Sequence, residues 1–282
     1  MSRRTLSVTA MVAVMIGLAV VAADAHDLFL RPRDFVVRAG TQVHVRVLNG
    51  TFTTSEAAVA RSRLRDLTVV GPTGVSHPDR SSWTDSAKES NWRVALQEPG
   101  THVLGASLGP KTIRLSGTEF NGYLSEEGLP HIVVARRAAR QLGDSAHERY
   151  AKHVKALVRV EGGQTLRPSA DTAHRVVLGY PAELVPLDDP YQLRAGGILR
   201  VRALVDGRPV PNQVVQAGGR TTSGQRIAQR EVRTDSAGIA RFRMDTRGTW
   251  YAKFISMRPV PASAKDSVNY ESKWATLTFA RP

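Results

Sequence analysis

A histidine at the amino terminus of a chain has chemistry that an internal histidine lacks, since its α-amine and ring Nδ1 can chelate one metal ion. The sequence predicts that His26 takes this position after proteolytic processing. Imidazole nitrogen binds copper, nickel and zinc, and an α-amine with a pKa of about 7.7–8.0 loses its proton to a metal readily. The chelate needs a further ligand, and the candidates are Asp27, His44, His102 and His131. The alternative is that His26 only begins the first strand behind a peptidase site.

The processing itself is predicted from the first 25 residues. Arg3 and Arg4 precede an almost wholly apolar run over residues 10–23, and residues 23–25 read Ala-Asp-Ala. A basic start, an apolar stretch and small residues at the positions that signal peptidase reads are typical of a cleaved secretory signal. The run is shorter than the ~20 residues that span a bilayer, which disfavours a retained anchor. We expect a signal peptide over residues 1–25, a periplasmic or secreted mature chain, and no transmembrane segment after cleavage.

The composition limits what the mature chain binds. The sequence has 0 Cys and a formal net charge of +14. Without thiols it has neither disulfides, which exported proteins often use, nor a lipid anchor on an N-terminal cysteine. Its basic residues are scattered and are not interleaved with the aromatic residues that stack on bases, so we expect no nucleic acid partner. A basic solvated surface is favoured, and loose attraction to anionic membranes or acidic polymers is the alternative.

The sequence lacks the common catalytic motifs. It has no cysteine nucleophile, no G-x-S-x-G elbow, and no H-E-x-x-H or phosphate-binding loop. Glu126 and Glu127 are adjacent and point in different directions, so they form no obvious acid–base pair. We therefore expect a protein that is not an enzyme.

A second candidate site, for a ligand or an interface, lies at the start of the last predicted strand. Its residues are Tyr270, Glu271, Lys273 and Trp274. A glutamate and a lysine on one face at a sandwich mouth predict a ligand contact or a contact between domains, with an ordinary salt bridge as the alternative. Tyr270 and Trp274, together with Trp250 and Tyr251, are candidates for a surface that stacks on a sugar. Aromatic residues in strands, however, usually belong to the core.

The amino-terminal part of the mature chain has the pattern of a β-sandwich. From Phe29 onward the hydrophobic residues recur with period two, which predicts half-buried strands. In residues 42–48 three valines face one way, while Gln42, His44 and Arg46 face the other. Further strands are predicted at residues 67–70, 92–96, 102–106 and 112–115. Short strands separated by Gly-Pro turns are typical of an antiparallel sandwich.

Helical spacing follows, and we expect a helical segment over residues 118–157. Phe120, Tyr123 and Leu124 have the spacing of one helix face. Pro130 suits the first turn of a second helix, because proline at that position lacks only a hydrogen bond that the helix start does not make.

A third helix is predicted from Ser145 to Leu157. Ser145 and Glu148 have the spacing of a capping box. His147 and His153 would then lie on different faces of this helix, so they would not share a metal ion.

Residues 163–174 are polar and contain Pro168, which predicts a linker. Alternation returns after it, at residues 199–205, 214–217, 239–244, 249–255 and 274–279. In the last of these strands we expect Thr276 and Thr278 to face outward. We therefore predict a mainly β fold of two β-sandwich (immunoglobulin-like) domains, over residues 26–162 and 175–282, with a short helical segment between them.

Several stretches resemble a known family. They are residues 25–30 (AHDLFL), 120–124 (FNGYL), 180–187 (YPAELVPL), 206–210 (DGRPV) and 270–279 (YESKWATLTF). On these stretches the chain is similar to the NikM-like exported family of unknown function, once described as a substrate-specific component of nickel uptake. The carboxyl-terminal part also looks like a carboxypeptidase-regulatory-like sandwich, which is a module without chemistry of its own.

The resemblance implies nickel or cobalt handling in the periplasm. One departure bears on this, because relatives often carry a His in the strand that here reads Phe254-Ile255-Ser256-Met257. If that His is a metal ligand, Ser256 removes it from this chain, and the metal hypothesis loses weight.

Two hypotheses follow for the function. The first is a periplasmic accessory protein that binds a transition-metal ion (nickel, cobalt or copper) or a small ligand, and that serves uptake with a membrane transporter or an outer-membrane receptor as partner. The second is a non-catalytic structural or adaptor module that docks on envelope proteins or polysaccharide.

Overall fold

The computed structural model of the 282-residue chain describes residues 26–162, 171–261 and 268–282. The predicted signal peptide and residues 163–170 of the predicted linker lie outside the described residues. The helices are α1 (Gly117–Glu126) and α2 (Pro130–Ala138). The strands are β1 (Asp27–Pro32), β2 (Val36–Arg38), β3 (Thr41–Gly50), β4 (Leu64–Gly71), β5 (Gly74–Ser76), β6 (Trp83–Asp85), β7 (Ser90–Leu96), β8 (Gly100–Leu108), β9 (Lys111–Leu115), β10 (Ala146–Glu161), β11 (Ala182–Pro186), β12 (Gly197–Val205), β13 (Arg208–Pro209), β14 (Val214–Thr221), β15 (Arg226–Arg233), β16 (Ile239–Met244), β17 (Gly248–Pro259) and β18 (Tyr270–Arg281).

These strands form three sheets. The first, which we call the N sheet, has the strand order β1-β3-β7-β6. The second, the shared sheet, has the order β15-β14-β17-β18-β10-β8-β4-β5, and β2 and β9 also pair with β10. The third, the C sheet, has the order β11-β12-β13, with β16 on the other side of β12. The prediction of a mainly β fold with a short helical segment is confirmed.

The sheets pack as two sandwiches with separate cores, because the N sheet packs on one face of the shared sheet and the C sheet packs on the opposite face. The first core joins Val45 and Trp92 of the N sheet to Leu104 of the shared sheet. The second core joins Val201 of the C sheet to Leu277 of the shared sheet. Each of these side chains is at most 1% exposed, and burying a side chain of this kind stabilises the fold by roughly 1.5–3 kcal/mol.

Strands β10 and β18 join the two sandwiches through one hydrogen-bond ladder. They run parallel, in register from Glu148 opposite Tyr270 to Ala156 opposite Thr278. Parallel strands are normally covered on both faces, and here the two sandwiches supply that cover. The last strand of the chain is therefore central to the sheet that both sandwiches use.

The predicted third helix is wrong, because residues 146–161 form the 16-residue strand β10. A central strand with both faces covered has a continuous buried run instead of an alternating one, and such a run is easily mistaken for a helix stripe. Val154, Val158 and Val160 favour the strand, since β-branched residues fit a pleated sheet. The helical segment thus covers residues 117–138, and not the whole of residues 118–157.

The two remaining helices cover one end of the shared sheet. Ser116 and Glu119 form a capping box at the start of α1, with Ser116 N donating to Glu119 Oε2 over 2.9 Å. Phe120 and Leu124 of α1 are fully buried in a cluster that includes Trp274 of β18. Among the described residues, no helix is long and apolar enough to span a membrane.

The expectation that Thr276 and Thr278 face outward is wrong. Both side chains are buried, and their hydroxyls donate to backbone carbonyls of β1: Thr276 to Leu28 O over 2.7 Å and Thr278 to Leu30 O. The polar face of β18 therefore holds β1 in place and fixes where residues 26 and 27 lie.

Candidate functional site

A cavity of about 770 Å³, which we call the His26 cavity, lies where the described chain begins. Its walls come from four places: His26 and β1, the loop after β3, helix α1, and strands β14, β15 and β17. Pockets of this volume take small ligands. The α1 side supplies Glu119, Glu126 and Glu127, whereas β14 and β15 supply Arg220 and Arg226. The cavity therefore has an acidic and a basic wall.

His26 is held in this cavity through both its ring and its backbone. Its Nε2 lies 2.8 Å from Oε2 of Glu56. Nε2 is buried, and this contact does not have the geometry of a hydrogen bond. The ammonium of the buried Lys152 donates to the backbone carbonyl of His26 and, over 3.2 Å, to Asn49 Oδ1. The residue is therefore anchored with Nδ1 turned away from Glu56.

Beside His26, Asp27 belongs to a buried group of three charges. Lys253 of β17 is only 5% exposed, and its Nζ donates to Asp27 Oδ2 over 2.5 Å and to Glu127 Oε2 over 2.7 Å. Burial alone would lower the pKa of Lys253, but the two carboxylates outweigh it and raise that pKa. Two carboxylates and one ammonium leave an excess of one negative charge next to His26.

Glu127 titrates near neutral pH in this arrangement. Burial and then the charge of Asp27 raise the pKa of Glu127 to about 7, although Lys253 acts in the opposite direction. Burial disfavours the charged form of a carboxyl group, and a second carboxylate close by does the same. The negative charge at this wall of the cavity therefore changes within the physiological pH range.

One carboxylate oxygen of Asp27 has no hydrogen-bond partner in the described residues. Its Oδ2 is bound to Lys253, whereas its Oδ1 is buried and has no hydrogen-bond partner in the described residues. An unpaired buried acceptor of this kind costs about 1–3 kcal/mol. A bound cation would remove that cost.

Three aromatic rings form the wall between β1 and β17. Phe29 and Phe52 meet edge to face at 5.4 Å, and Tyr251 lies 5.1 Å from Phe29 and 4.9 Å from Phe52, all between ring centroids. The Tyr251 hydroxyl donates to Gln229 Oε1 over 3.0 Å, and burial raises the pKa of Tyr251. This wall is rigid and largely apolar, and offers one amide group.

The histidines that were candidates for the further metal ligand lie elsewhere. His44 is exposed on β3, opposite Arg93 of β7. His102 of β8 is buried, with Nδ1 3.4 Å from Gly100 O, and burial lowers its pKa. His131 is exposed in the first turn of α2. Of the five candidates, the structure brings together only His26 and Asp27, and residues 26–162, 171–261 and 268–282 hold no group of three metal-ligating side chains.

The candidate ligand residues on β18 point to both faces of the strand. Glu271 pairs with Arg149 and Arg258, and Lys273 pairs with Asp206 over 2.6 Å. Tyr270 and Trp274 are buried in the cluster under the helices. These contacts match the alternatives of salt bridges at the strand start and aromatic residues in the core.

Sequence reasoning missed three residues of the site, Lys253, Glu127 and Glu56. Lys253 was recognisable in the sequence, because it is the only charged residue in the otherwise apolar and aromatic run of residues 250–255, and buried charges occur with partners. Glu127 was recognisable as well, since an acidic residue at the carboxyl terminus of a helix is unfavourable without a nearby cation. Glu56 lies in a loop, and nothing in the sequence pattern marks it as part of the site.

The fold and the cavity together define a class: a double β-sandwich protein that is built on one shared sheet and has a ligand-sized cavity beside its first strand. Sequence comparison assigns the chain to a family. It belongs to the family described as domain of unknown function DUF4198, whose profile matches residues 23–257. No curated protein matches the chain.

Solved structures show only distant likeness. A DUF4785 family protein from Legionella pneumophila is 11% identical, with a TM-score of 0.24, over 78% of this chain and 49% of that chain. Trypsin-activated α-2-macroglobulin from Escherichia coli is 9% identical, with a TM-score of 0.22, over 93% and 16%. Native α-2-macroglobulin of the same organism, spanning domains MG0-NIE-MG1, is 10% identical, with a TM-score of 0.18, over 80% and 91%. The chain thus spans about half of the first structure. TM-scores this low support no inference about the fold or the function of this chain.

Proposed function

We propose that residues 1–25 are removed on export and that the mature chain is a periplasmic accessory protein binding a transition-metal ion. The ion would be nickel, cobalt or copper, chelated by the α-amine and Nδ1 of His26. The resemblance to the NikM-like family supports a role in uptake, with a membrane transporter or an outer-membrane receptor as partner.

The observation that carries this proposal is the position of His26 in a cavity beside an unsatisfied carboxylate oxygen. Of the two ring nitrogens, Nδ1 is the one nearer the backbone, so it can close a chelate ring with the α-amine. Both of these ligand atoms are available once the chain begins at His26. Asp27 Oδ1 is buried without a partner in the described part of the chain, and carboxylate oxygen is an acceptable ligand for these ions. The excess negative charge of the group around Lys253 favours a cation at this point.

Glu56 supports the same proposal through the other ring nitrogen. A histidine that binds a metal commonly directs its second ring nitrogen at a carboxylate or a carbonyl, which fixes the ring orientation and raises its basicity as a ligand. The carboxylate oxygen Oε2 of Glu56 lies 2.8 Å from His26 Nε2, which is close enough for this role. Glu56 would therefore position the ring and would not bind the ion.

Titration calorimetry with Ni²⁺, Co²⁺ and Cu²⁺ tests the proposal on two forms of residues 26–282, one with a free α-amine and one with that amine acetylated. Acetylation converts the amine into an amide and leaves the ring unchanged, so only the α-amine ligand is lost. We expect the free form to bind at least one of the ions at least about tenfold more tightly, the equivalent of about 1.4 kcal/mol. Equal affinities would overturn the terminal chelate.

The adaptor hypothesis is the second candidate, and one observation favours it. The described residues hold no group of three metal-ligating side chains, so a metal site depends entirely on the α-amine of His26. If neither form of the chain binds any of the three ions, a non-catalytic module that docks on envelope proteins or polysaccharide is the better account.

A further inference from the structure

A second cleft, of about 600 Å³, adjoins the His26 cavity. The two share Thr53 and Arg220 in their walls. We call the second one the arginine cleft, because Arg31, Arg33, Arg220 and Arg281 all line it. Asp34 is the one acidic side chain among its lining residues.

These arginines are not neutralised by carboxylates of the described residues. Arg31 donates to the carbonyl of Phe52 over 2.8 Å, and Arg220 to the carbonyl of Gly224 over 3.4 Å. Arg281, which is only 3% exposed, donates to two carbonyls, Thr246 O and Asp245 O, at 3.1 and 3.3 Å. None of the four lies within 4.0 Å of a carboxylate oxygen in the described part of the chain, whereas Arg46 and Arg200 each have such a partner.

The unneutralised charges repel one another. Burial, followed by the charges of Arg46 and Arg220, lowers the pKa of Arg31. Guanidinium groups that lie close together with no carboxylate within ion-pair distance destabilise the fold, and an anion between them removes the repulsion.

The chemistry of the cleft selects for a phosphate group. Guanidinium groups bind phosphate and carboxylate oxygens through two parallel hydrogen bonds. A phosphate monoester carries about two negative charges and three strong acceptor oxygens, so it engages more than one arginine, whereas a single carboxylate is satisfied by one. The hydroxyls of Thr222 and Thr249 also line the cleft and have no side-chain hydrogen bond to the described residues.

We infer that the arginine cleft is a binding site for the phosphate group of a small anionic ligand, held mainly by Arg33 and Arg220 and supported by Arg31 and Arg281. The site does not depend on the proposed metal chelate. A soluble phosphate monoester and the headgroup of an anionic phospholipid present the same group, and the experiment separates these two sources.

The test uses residues 26–282 in a buffer without phosphate or metal. The soluble probe is glycerol 1-phosphate, followed by titration calorimetry, and the lipid probe is a phosphatidylcholine vesicle with or without phosphatidic acid, followed by flotation. The variant R33Q/R220Q removes two charges from the cleft. The matched control R93Q/R114Q removes two charges from exposed positions on β7 and β9, where the arginines have no carboxylate partner in the described chain.

We expect the wild-type chain to bind glycerol 1-phosphate, or vesicles only when they contain phosphatidic acid. R33Q/R220Q should weaken that binding at least about tenfold, since each charge-assisted contact that is lost costs about this factor, and R93Q/R114Q should leave it unchanged. Binding of both probes identifies the phosphate group itself as the ligand, and binding of vesicles alone identifies a lipid headgroup.

Two results would overturn the inference. One is that the wild-type chain binds neither probe at low ionic strength. The other is an equal loss of binding affinity in the two double variants, which would show that the effect comes from net charge alone. Thermal unfolding of each variant shows whether it is folded. If R33Q/R220Q does not fold, the single variant R33Q, which changes an exposed residue, takes its place. Because no metal is present, failure of this site and failure of the proposed function are separate outcomes.

Discussion

Nε2 of His26 and Oε2 of Glu56 lie 2.8 Å apart, although 30 residues separate them along the chain. The contact is made because β1 pairs with β3, from Asp27 opposite Gly50 to Pro32 opposite Val45, and because the chain after Gly50 turns back to bridge Ser55. A histidine at the beginning of the described chain is thus oriented by a loop that follows its own partner strand.

The first prediction concerns this contact. In the form that begins at His26, the substitution E56Q should weaken transition-metal binding by about 10- to 100-fold, the range typical of a lost carboxylate that orients a metal-binding histidine. The ion should still bind, because both chelating nitrogens remain. E89Q, which removes the carboxylate partner of Arg46 on the N sheet, is the control. Titration calorimetry that finds the two variants equal would show that Glu56 does not position the ring.

The second prediction concerns the pH dependence of Glu127. Its pKa is about 7 in the folded chain against an ordinary value of 4.5, so the folded state holds the proton more tightly than the unfolded state does. The free energy of unfolding should therefore fall as the pH rises from about 4.5 to about 7, by something on the order of 3 kcal/mol. Urea unfolding at pH 5, 6, 7 and 8 checks this against E127Q, which should lack the slope. Parallel curves for the two proteins would contradict the raised pKa.

The third prediction concerns acid stability and His153. Burial, followed by the charge of Lys273, lowers the pKa of His153 to about 4 from 6.5, with Asp206 acting in the opposite direction. Its Nδ1 lies 2.9 Å from the hydroxyl of Ser107.

Since the unfolded state binds the proton first, the free energy of unfolding should fall as the pH drops from about 6.5 to about 4, by about 3 kcal/mol. H153Q should remove this part of the slope, which has the opposite sign to that of Glu127. Denaturation curves at pH 7, 6, 5 and 4 test this prediction. If the wild-type chain loses no more stability than H153Q as the pH drops, the pKa of His153 is not lowered by burial.

The fourth prediction concerns cooperativity. The ladder between β10 and β18 and the buried pair of Lys155 and Glu183, 2.9 Å apart, tie the two sandwiches together. We expect one calorimetric transition, with equal calorimetric and van't Hoff enthalpies. K155A should lower the whole transition by about 3–5 kcal/mol, because it leaves Glu183 as an unpaired buried charge, while the exposed R93A should change little. Two separate transitions in the wild-type chain would contradict a shared folding unit.

The pattern of the sequence predicts the half-buried strands well and the central ones poorly. β3 and β7 alternate because one face meets the core and the other meets water. β10 is buried on both faces over residues 152–158, so Leu157 and the buried polar residues interrupt the alternation of Val154, Ala156, Val158 and Val160. β15 was not predicted, for the opposite reason: it is an edge strand in which most residues are exposed and three of eight are arginine, a composition that protects an edge from pairing with another chain.

The site was predictable only in part, for a similar reason. His26 is visible in the sequence because the signal segment before it predicts cleavage. Its surroundings depend on pairings between distant parts of the chain, which no local spacing encodes. Lys253 reaches Asp27 across 226 positions, and the position of Asp27 depends in turn on Thr276 and Thr278, whose period-two pattern predicts exposure.

Electron paramagnetic resonance of the chain loaded with one equivalent of Cu²⁺ tests the terminal chelate of His26 most directly. For residues 26–282 with a free α-amine, we predict hyperfine coupling to two inequivalent nitrogens, one from an imidazole and one from an amine. For the same chain with the α-amine acetylated, we predict loss of the amine signal. Identical spectra from the two forms would contradict the terminal chelate.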